Sequence, residues 1–376
     1  MSVFRSMKRK TRLFLLIIIS LLYIVNTYGQ CNGYQILCEK KYNEVAYLTT
    51  HNSYNSVEDG FNFPNQNLNI TSQLNSGVRG LMIDVYDVDG VPTVYHVYSS
   101  LGSESLLSFL NEIKLFLDHN NNEVVTIILE SYTNTNSIEN AINLAGLTGY
   151  LYTHDLASSS WPTLRAMVNN NTRLVIFSDV NQAIINQGWY HYVWDYAVET
   201  HYAVNIMSDF SCNFNRGDSL NDLFILNHFI TSGLGLGVES EAVIINSNPY
   251  FINRVNQCLL EKNKFPNFVT IDFFEHGDGL SVVNELNQIP LTTNNNLQPV
   301  NLLSIYPNPT NGLVTIEGYG QELEIVGVYN MLGQKLAKRV KLVENNEERV
   351  TIDMSYLSPG IYYLKTKTTI NKVYRK

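Results

Sequence analysis

Five polar residues stand near the carboxyl ends of apolar, β-branched runs between Tyr47 and Glu130: His51 with Asn52, Asp84, His96 and Glu130, in the segments YLTTHNSYN, GVRGLMIDVYD, VYHVYSS and VVTIILES. Two imidazoles can divide the roles of general base and general acid. An amide oxygen and two carboxylates are hard oxygen donors of the kind Ca²⁺ takes, so Asn52, Asp84 and Glu130 form a candidate calcium set. Polar groups at strand ends are how a parallel barrel assembles an active site.

The elements that position these groups follow from periodicity. Strand one is expected over about Val45–Thr50 and delivers His51. Strand two, Val78–Tyr86, alternates, with Met82, Asp84 and Tyr86 on one face and Arg79, Leu81 and Ile83 on the other. Strand three holds His96, and strand four, Val124–Leu129, ends at Glu130. Between them Ser103–His119 carries a helical apolar stripe with Ser103 as its cap. Further helices are expected near Ser137–Ala145, over Trp161–Val168 with Pro162 in the first turn, and over Pro249–Glu261. Further strands are expected over Arg173–Phe177, within Tyr202–Met207, over Leu223–Leu226 and over Phe268–Phe273, the last carrying Asp272. Strands alternating with helices over this length predict an α/β fold, a TIM-like (β/α) barrel with room for one irregular unit.

The chain has 376 residues, enough for one large and one small domain. Residues 1–29 read as a signal peptide: Arg5, Lys8, Arg9, Lys10 and Arg12, an apolar run from Leu13, and Thr27-Tyr28-Gly29 before a cut at Gln30. Export favours disulfides, and the expected pairs are Cys31 with Cys38 and Cys212 with Cys258. The barrel occupies residues 30–289 and an Asn-rich linker residues 290–300. From residue 301 short alternating strands separated by Asn-Gly, Leu-Gly and Pro-Gly turns predict a small all-β sandwich to residue 376. The net charge is −9, with the acidic excess in the barrel and a mildly basic tail. Nucleic acid is therefore excluded as a partner, and no feature points to an oligomer, so a monomer is expected.

HNSY, GVRGLMIDVYD, the HVYS and IILES segments and PNFVTIDFFEHGDG resemble the X region of the phosphatidylinositol-specific phospholipase C superfamily, over roughly residues 31–285. YPNPTNG, VYNMLGQ and LSPGIYYLK resemble the C-terminal sorting domain of the bacterial type IX secretion system. The first resemblance implies a phosphodiesterase with His51 as base, His96 as acid and Asp272 orienting the base. The second implies passage across an outer membrane by the type IX machinery, to the surface or beyond. The metal-free members place an arginine where this chain has Tyr86, and a basic group is expected near the phosphate where strand five ends Ser178-Asp179; Tyr86 and Ser178 are thus candidate substrate contacts. The calcium-dependent members use an Asn, an Asp and two Glu; Asn52, Asp84 and Glu130 match, while Met82 replaces the strand-two Glu. Ca²⁺ is the expected source of positive charge, and a phosphatidylinositol lipid or other phosphodiester the expected substrate. Rival readings are a glycerophosphodiester or sphingomyelin phosphodiesterase, and a surface binding protein without activity.

Arg79 alternates away from Asp84 and is expected in a structural ion pair. The run Trp189–Tyr196 is either an aromatic rim or a packed loop. His191, His201, His228 and His276 have no metal-ligand spacing and are expected to be structural, with His276 near the mouth.

Overall fold

The computed structural model describes residues 30–155, 160–181, 188–232, 236–289, 304–317, 325–330, 334–336, 340–345, 349–366 and 370–376. The expected signal peptide and the 290–300 linker lie outside the described residues.

Eight parallel strands make the barrel wall: β1 Tyr47–Thr50, β2 Gly80–Val88, β5 Val125–Tyr132, β6 Leu174–Ser178, β7 Tyr190–Tyr192, β8 Ala197–Glu199, β9 Leu223–Asn227 and β10 Phe268–Ile271. Their order is β7-β6-β5-β2-β1-β10-β9-β8, so the first and last strands of the domain pair. Among the described residues no ladder joins β7 to β8. The wall is thus laced around most of its circumference and open at one seam.

Period-two alternation sorts the side chains. Leu48, Leu81, Ile83, Ile127, Leu129, Ile176, Phe224, Leu226, Val269 and Ile271 face the helices and share one core with them. Tyr47, Ile128, Val175, Phe177, Leu223, Ile225 and Phe268 form a second core. The lead-in segment joins this second core: Tyr42 is fully buried, stacks on Trp161 at 4.9 Å and shares a hydrogen bond with Thr126 Oγ1 at 2.6 Å. Both expected disulfides, Cys31–Cys38 and Cys212–Cys258, are formed.

The helices are α1 Ile70–Asn75, α2 Leu106–His119, α3 Thr135–Leu144, α4 Leu164–Asn169, α5 Val193–Tyr196, α6 Glu239–Ile245, α7 Tyr250–Lys262 and α8 Gly279–Leu286. No described helix is long and apolar enough to cross a membrane. Arg79 makes its ion pair with Glu123 at 2.7 Å and stacks on Phe116 of α2.

Several local expectations are corrected. Ser105, not Ser103, caps α2, accepting from the Ser108 amide. Thr163 caps α4, which leaves Pro162 before the helix rather than in its first turn. No strand forms within Tyr202–Met207. The fifth and sixth wall strands are instead Tyr190–Tyr192 and Ala197–Glu199, and half of the aromatic run Trp189–Tyr196 is buried: Trp189, His191, Val193 and Tyr196. The third strand, β3 Val91–Val94, is not part of the wall. It folds back antiparallel on β2, pairs with the short β4 Glu104–Ser105, and leaves His96 two residues past its end.

The tail contains two antiparallel sheets. The first, in the order β11-β12-β15-β14, uses Ser304–Tyr306, Leu313–Glu317, Arg349–Asp353 and Lys341–Asn345. The second, β13-β16-β17, uses Ile325–Asn330, Gly360–Thr366 and Ile370–Arg375. Residues of both, among them Val314, Ile316, Val350, Val328, Leu364 and Val373, share one buried cluster.

Candidate active site

The carboxyl ends of the wall strands open into a cleft lined by His51, Asn52, Asp84, Glu130, Asp179, Trp194, Glu199, Tyr202, Arg216, Asn227 and Phe229, among others. His51 follows β1 directly, and its Nδ1 lies 2.9 Å from Asp272 Oδ1, immediately past β10. Because β1 and β10 pair in register, residues 221 positions apart in sequence emerge side by side. Asp272 is 2% exposed. Its second oxygen accepts from Asn65 Nδ2 at 3.0 Å, and the His51 ring lies flat against Phe229 with centroids 3.9 Å apart. The carboxylate is thus fixed from behind, and it sets the ring's tautomer, with the proton on Nδ1 and Nε2 free to accept. Gly237 is required here, since a Cβ on it would stand 3.2 Å from Asp272 Oδ2 and closer still to Asn65. Burial opposes a charge on His51. The Asp272 carboxylate, by charge and hydrogen bond, with Asp84 and Glu130 behind it, nonetheless raises the imidazole above its ordinary value.

His96 is held differently. The chain turns at Val97, whose φ of 60° is unusual for a β-branched residue, and the Tyr98 amide donates back to the His96 carbonyl at 2.6 Å. The Nδ1 of His96 is buried without a hydrogen-bond partner among the described residues. Burial, then the nearby charge of His51, pushes His96 down to about 4.

Asp84 and Glu130 are register partners across β2 and β5. Tyr54 donates to Asp84 at 3.2 Å, and Tyr132 donates to Glu130. Burial, with repulsion from Glu130 next, pushes Asp84 up to about 8. Asn52 is buried with φ 46°, a left-handed conformation that asparagine tolerates. Its Nδ2 donates to Asn65 Oδ1 at 3.2 Å. A half-buried Asp84 that burial and the neighbouring Glu130 push toward its protonated form is a donor that a divalent cation would relieve, so these residues fit Ca²⁺ chemically.

The two candidate substrate contacts fall outside the cleft lining. Tyr86 is stacked between Tyr95 and Tyr132, at 4.0 and 4.5 Å. Ser178 is fully buried and accepts from the Tyr190 hydroxyl at 2.6 Å, whereas its neighbour Asp179 reaches the cleft.

Sequence reading found no cation near the phosphate position, yet Arg216 lines the cleft. Its Nε donates to Glu199 Oε1 at 2.5 Å, and its guanidinium lies over Trp194 and Tyr202 at 4.4 and 4.6 Å. Glu199 is in turn held by Asn215 and Asn227. Gly217 allows the approach of this loop, since a Cβ there would meet the Ala197 carbonyl at 2.1 Å. Arg216 and Asn65 both sit in aperiodic loops, where spacing carries no information. The available sign for Arg216 was its rarity as a cation in an acidic domain.

The PI-PLC X family model matches residues 37–287, and the secretion system C-terminal sorting domain matches residues 304–376. A PI-PLC X domain-containing protein of Arabidopsis thaliana is 30% identical over 270 residues, 66% of this chain and 62% of its own length. An uncharacterized secreted protein of Arthroderma benhamiae is 27% identical, with 66% of this chain and 61% of that protein covered. The chain therefore spans about three-fifths of the length of these two relatives. A phosphatidylinositol-specific phospholipase C of Staphylococcus aureus superposes with a TM-score of 0.46 at 16% identity, covering 68% of this chain and 95% of that one.

Proposed function

Because the chain belongs to the PI-PLC X family and ends in a sorting domain that marks it for type IX secretion to the cell surface or outside, we propose that it is an exported phosphodiesterase of the phospholipase C type, acting on phosphatidylinositol-like diesters. The observation that carries this reading is the His51–Asp272 pair, locked by Asn65 and Phe229 at the mouth of an eight-stranded barrel.

In this reading His51 Nε2 takes the proton of the attacking hydroxyl. Asp272 stabilises the imidazolium that forms, as the raised proton affinity of His51 supports. His96 supplies a proton to the leaving oxygen. Its depressed affinity in the free protein means that it must take up that proton as the anionic phosphodiester arrives beside it. Arg216, anchored by Glu199, offers its remaining donors to the phosphoryl oxygens or to the head group. A Ca²⁺ ion held by Asn52, Asp84 and Glu130 would supply further positive charge for the phosphoryl oxygens. The paired carboxylates account for the acidic side of the cleft in this scheme, and Tyr54 and Tyr132 hold them in place.

The test is release of inositol phosphate from phosphatidylinositol vesicles by the full exported chain, with calcium and with excess chelator, beside His51→Ala and His96→Ala. Release that needs both histidines and calcium is expected. Release by the chelated protein would remove the calcium from the scheme and leave Arg216 as the cation. No release under either condition would overturn the inositol-lipid reading.

A further inference from the structure

Beyond the cleft, three potential metal ligands converge where the segment after β10 meets the start of α6. His276 Nε2 lies 2.8 Å from Glu239 Oε1 and 3.9 Å from Glu275 Oε1, and one ligand atom from each residue lies within 4.8 Å of the other two. A surface His–Glu pair alone would be unremarkable. Glu275 makes the difference: both of its carboxylate oxygens are buried, and neither accepts a hydrogen bond from any described residue. A carboxylate sealed from water without a donor is costly, and such a group calls for a counter-charge. Glu239 has support of its own, since Asn67 Nδ2 donates to its Oε1 at 2.7 Å.

We propose that Glu239, Glu275 and His276 form a binding site for a divalent transition-metal ion of the zinc type, separate from the Asn52, Asp84 and Glu130 set. An imidazole beside two carboxylates selects zinc-like ions over calcium, which prefers an all-oxygen shell, and water completes the coordination. The ion takes the place of the proton shared by His276 and Glu239 and neutralises Glu275. The amide of Asn67 orients one ligand from outside the coordination sphere.

The location gives the site a purpose. Glu275 and His276 lie three and four residues past Asp272, and Asn67 directly follows Asn65 and Gln66. Asn65 holds Asp272, and Gln66 Nε2 donates to the His51 carbonyl at 2.9 Å. A metal here ties together the two segments that position the His51–Asp272 pair, acting as a brace rather than as a reactant.

The experiment uses the full exported chain without a histidine tag, stripped by chelator and titrated with Zn²⁺ alone by calorimetry, with thermal unfolding alongside. The arms are Glu239→Gln, Glu275→Gln, His276→Ala and Asp84→Asn. Zinc should bind, raise the unfolding temperature, and lose affinity by about tenfold or more in each of the first three variants, while Asp84→Asn binds as before. Glu239 is half exposed, so its variant should stay folded if the change at the partly buried Glu275 does not. Unchanged binding in Glu239→Gln and His276→Ala, or loss of binding in Asp84→Asn alone, would overturn the proposal.

Discussion

Replacing Asp272 by Asn keeps the shape of the side chain and removes its charge, which isolates what the carboxylate does to His51. At the 2.9 Å separation, and with the effective dielectric of about 20 that suits protein sites, the gross attraction between an imidazolium and Asp272 is roughly 6 kcal/mol. Burial of both groups offsets much of this, since His51 is 19% exposed and Asp272 only 2%. A charge-assisted hydrogen bond nets about 1.5–3 kcal/mol, or about 1–2 pH units of imidazole affinity. Asp272→Asn should therefore lower the His51 titration midpoint by about 1–2 units, followed by NMR of the ring protons. Stability supplies a second readout. The raised His51 contributes stability that is fully present below its unfolded value of about 6.5 and is lost as pH rises through its folded value. In Asp272→Asn that loss of stability above about pH 6.5 should flatten. A His51 midpoint that does not move, or that rises, would refute the account of the pair as charge-stabilised.

Asp84 has linkage of the same sign in a lower window: its folded value of about 8 is raised, so its contribution to stability is full below about pH 4 and is lost as pH climbs from there towards 8. Asp84→Asn should accordingly stabilise the calcium-free protein at pH 7 by roughly 1–3 kcal/mol, read by thermal unfolding in chelator, and a destabilised variant would contradict the repulsion with Glu130. Arg216→Gln should cost about 1–2 kcal/mol, because Glu199 is 3% exposed but keeps two amide partners, and denaturant unfolding would show no change if the pair is idle. The Cys212–Cys258 bridge closes 46 residues of sequence and the Cys31–Cys38 bridge 7, so loop entropy predicts losses of up to about 4 and about 2.5 kcal/mol for the paired alanine variants. Equal losses would argue against an unfolded-state origin.

The wall strands were legible because an alternating pattern ending in a polar residue is a property of the strand itself. His51, Asp84 and Glu130 could be seen in this way, and Asp272 was joined to His51 only by family resemblance, since no periodicity links residues so far apart in sequence. Asn65 and Arg216 were invisible for a related reason: they act from irregular loops, where one polar residue looks like any other until the fold brings it to a partner. His96 was assigned to a wall strand because Val91–Val94 is as β-branched as its neighbours. Only the antiparallel return onto β2 shows that its strand is a flap on the barrel. The run Trp189–Tyr196 was ambiguous because one three-residue strand and a four-residue helix are too short to display a period.

The unlaced seam between β7 and β8 gives the cleft a mechanical asymmetry. The acidic groups Asp84, Glu130 and Asp179 belong to the β2-β5-β6 arc, whereas Glu199, Arg216 and Asn227 belong to the β8-β9 side. Within each arc the spacing of side chains is dictated by backbone ladders. Across the seam it is dictated by the softer contacts of α5, whose Val193 and Tyr196 are buried between them. Among the described residues no ladder bond crosses this seam, so the separation of the anionic wall from the guanidinium rests there on side-chain packing. Under the proposed function, this joint would set the girth of head group that the cleft admits, and repacking α5 is expected to change selectivity without any contact to the substrate's phosphorus.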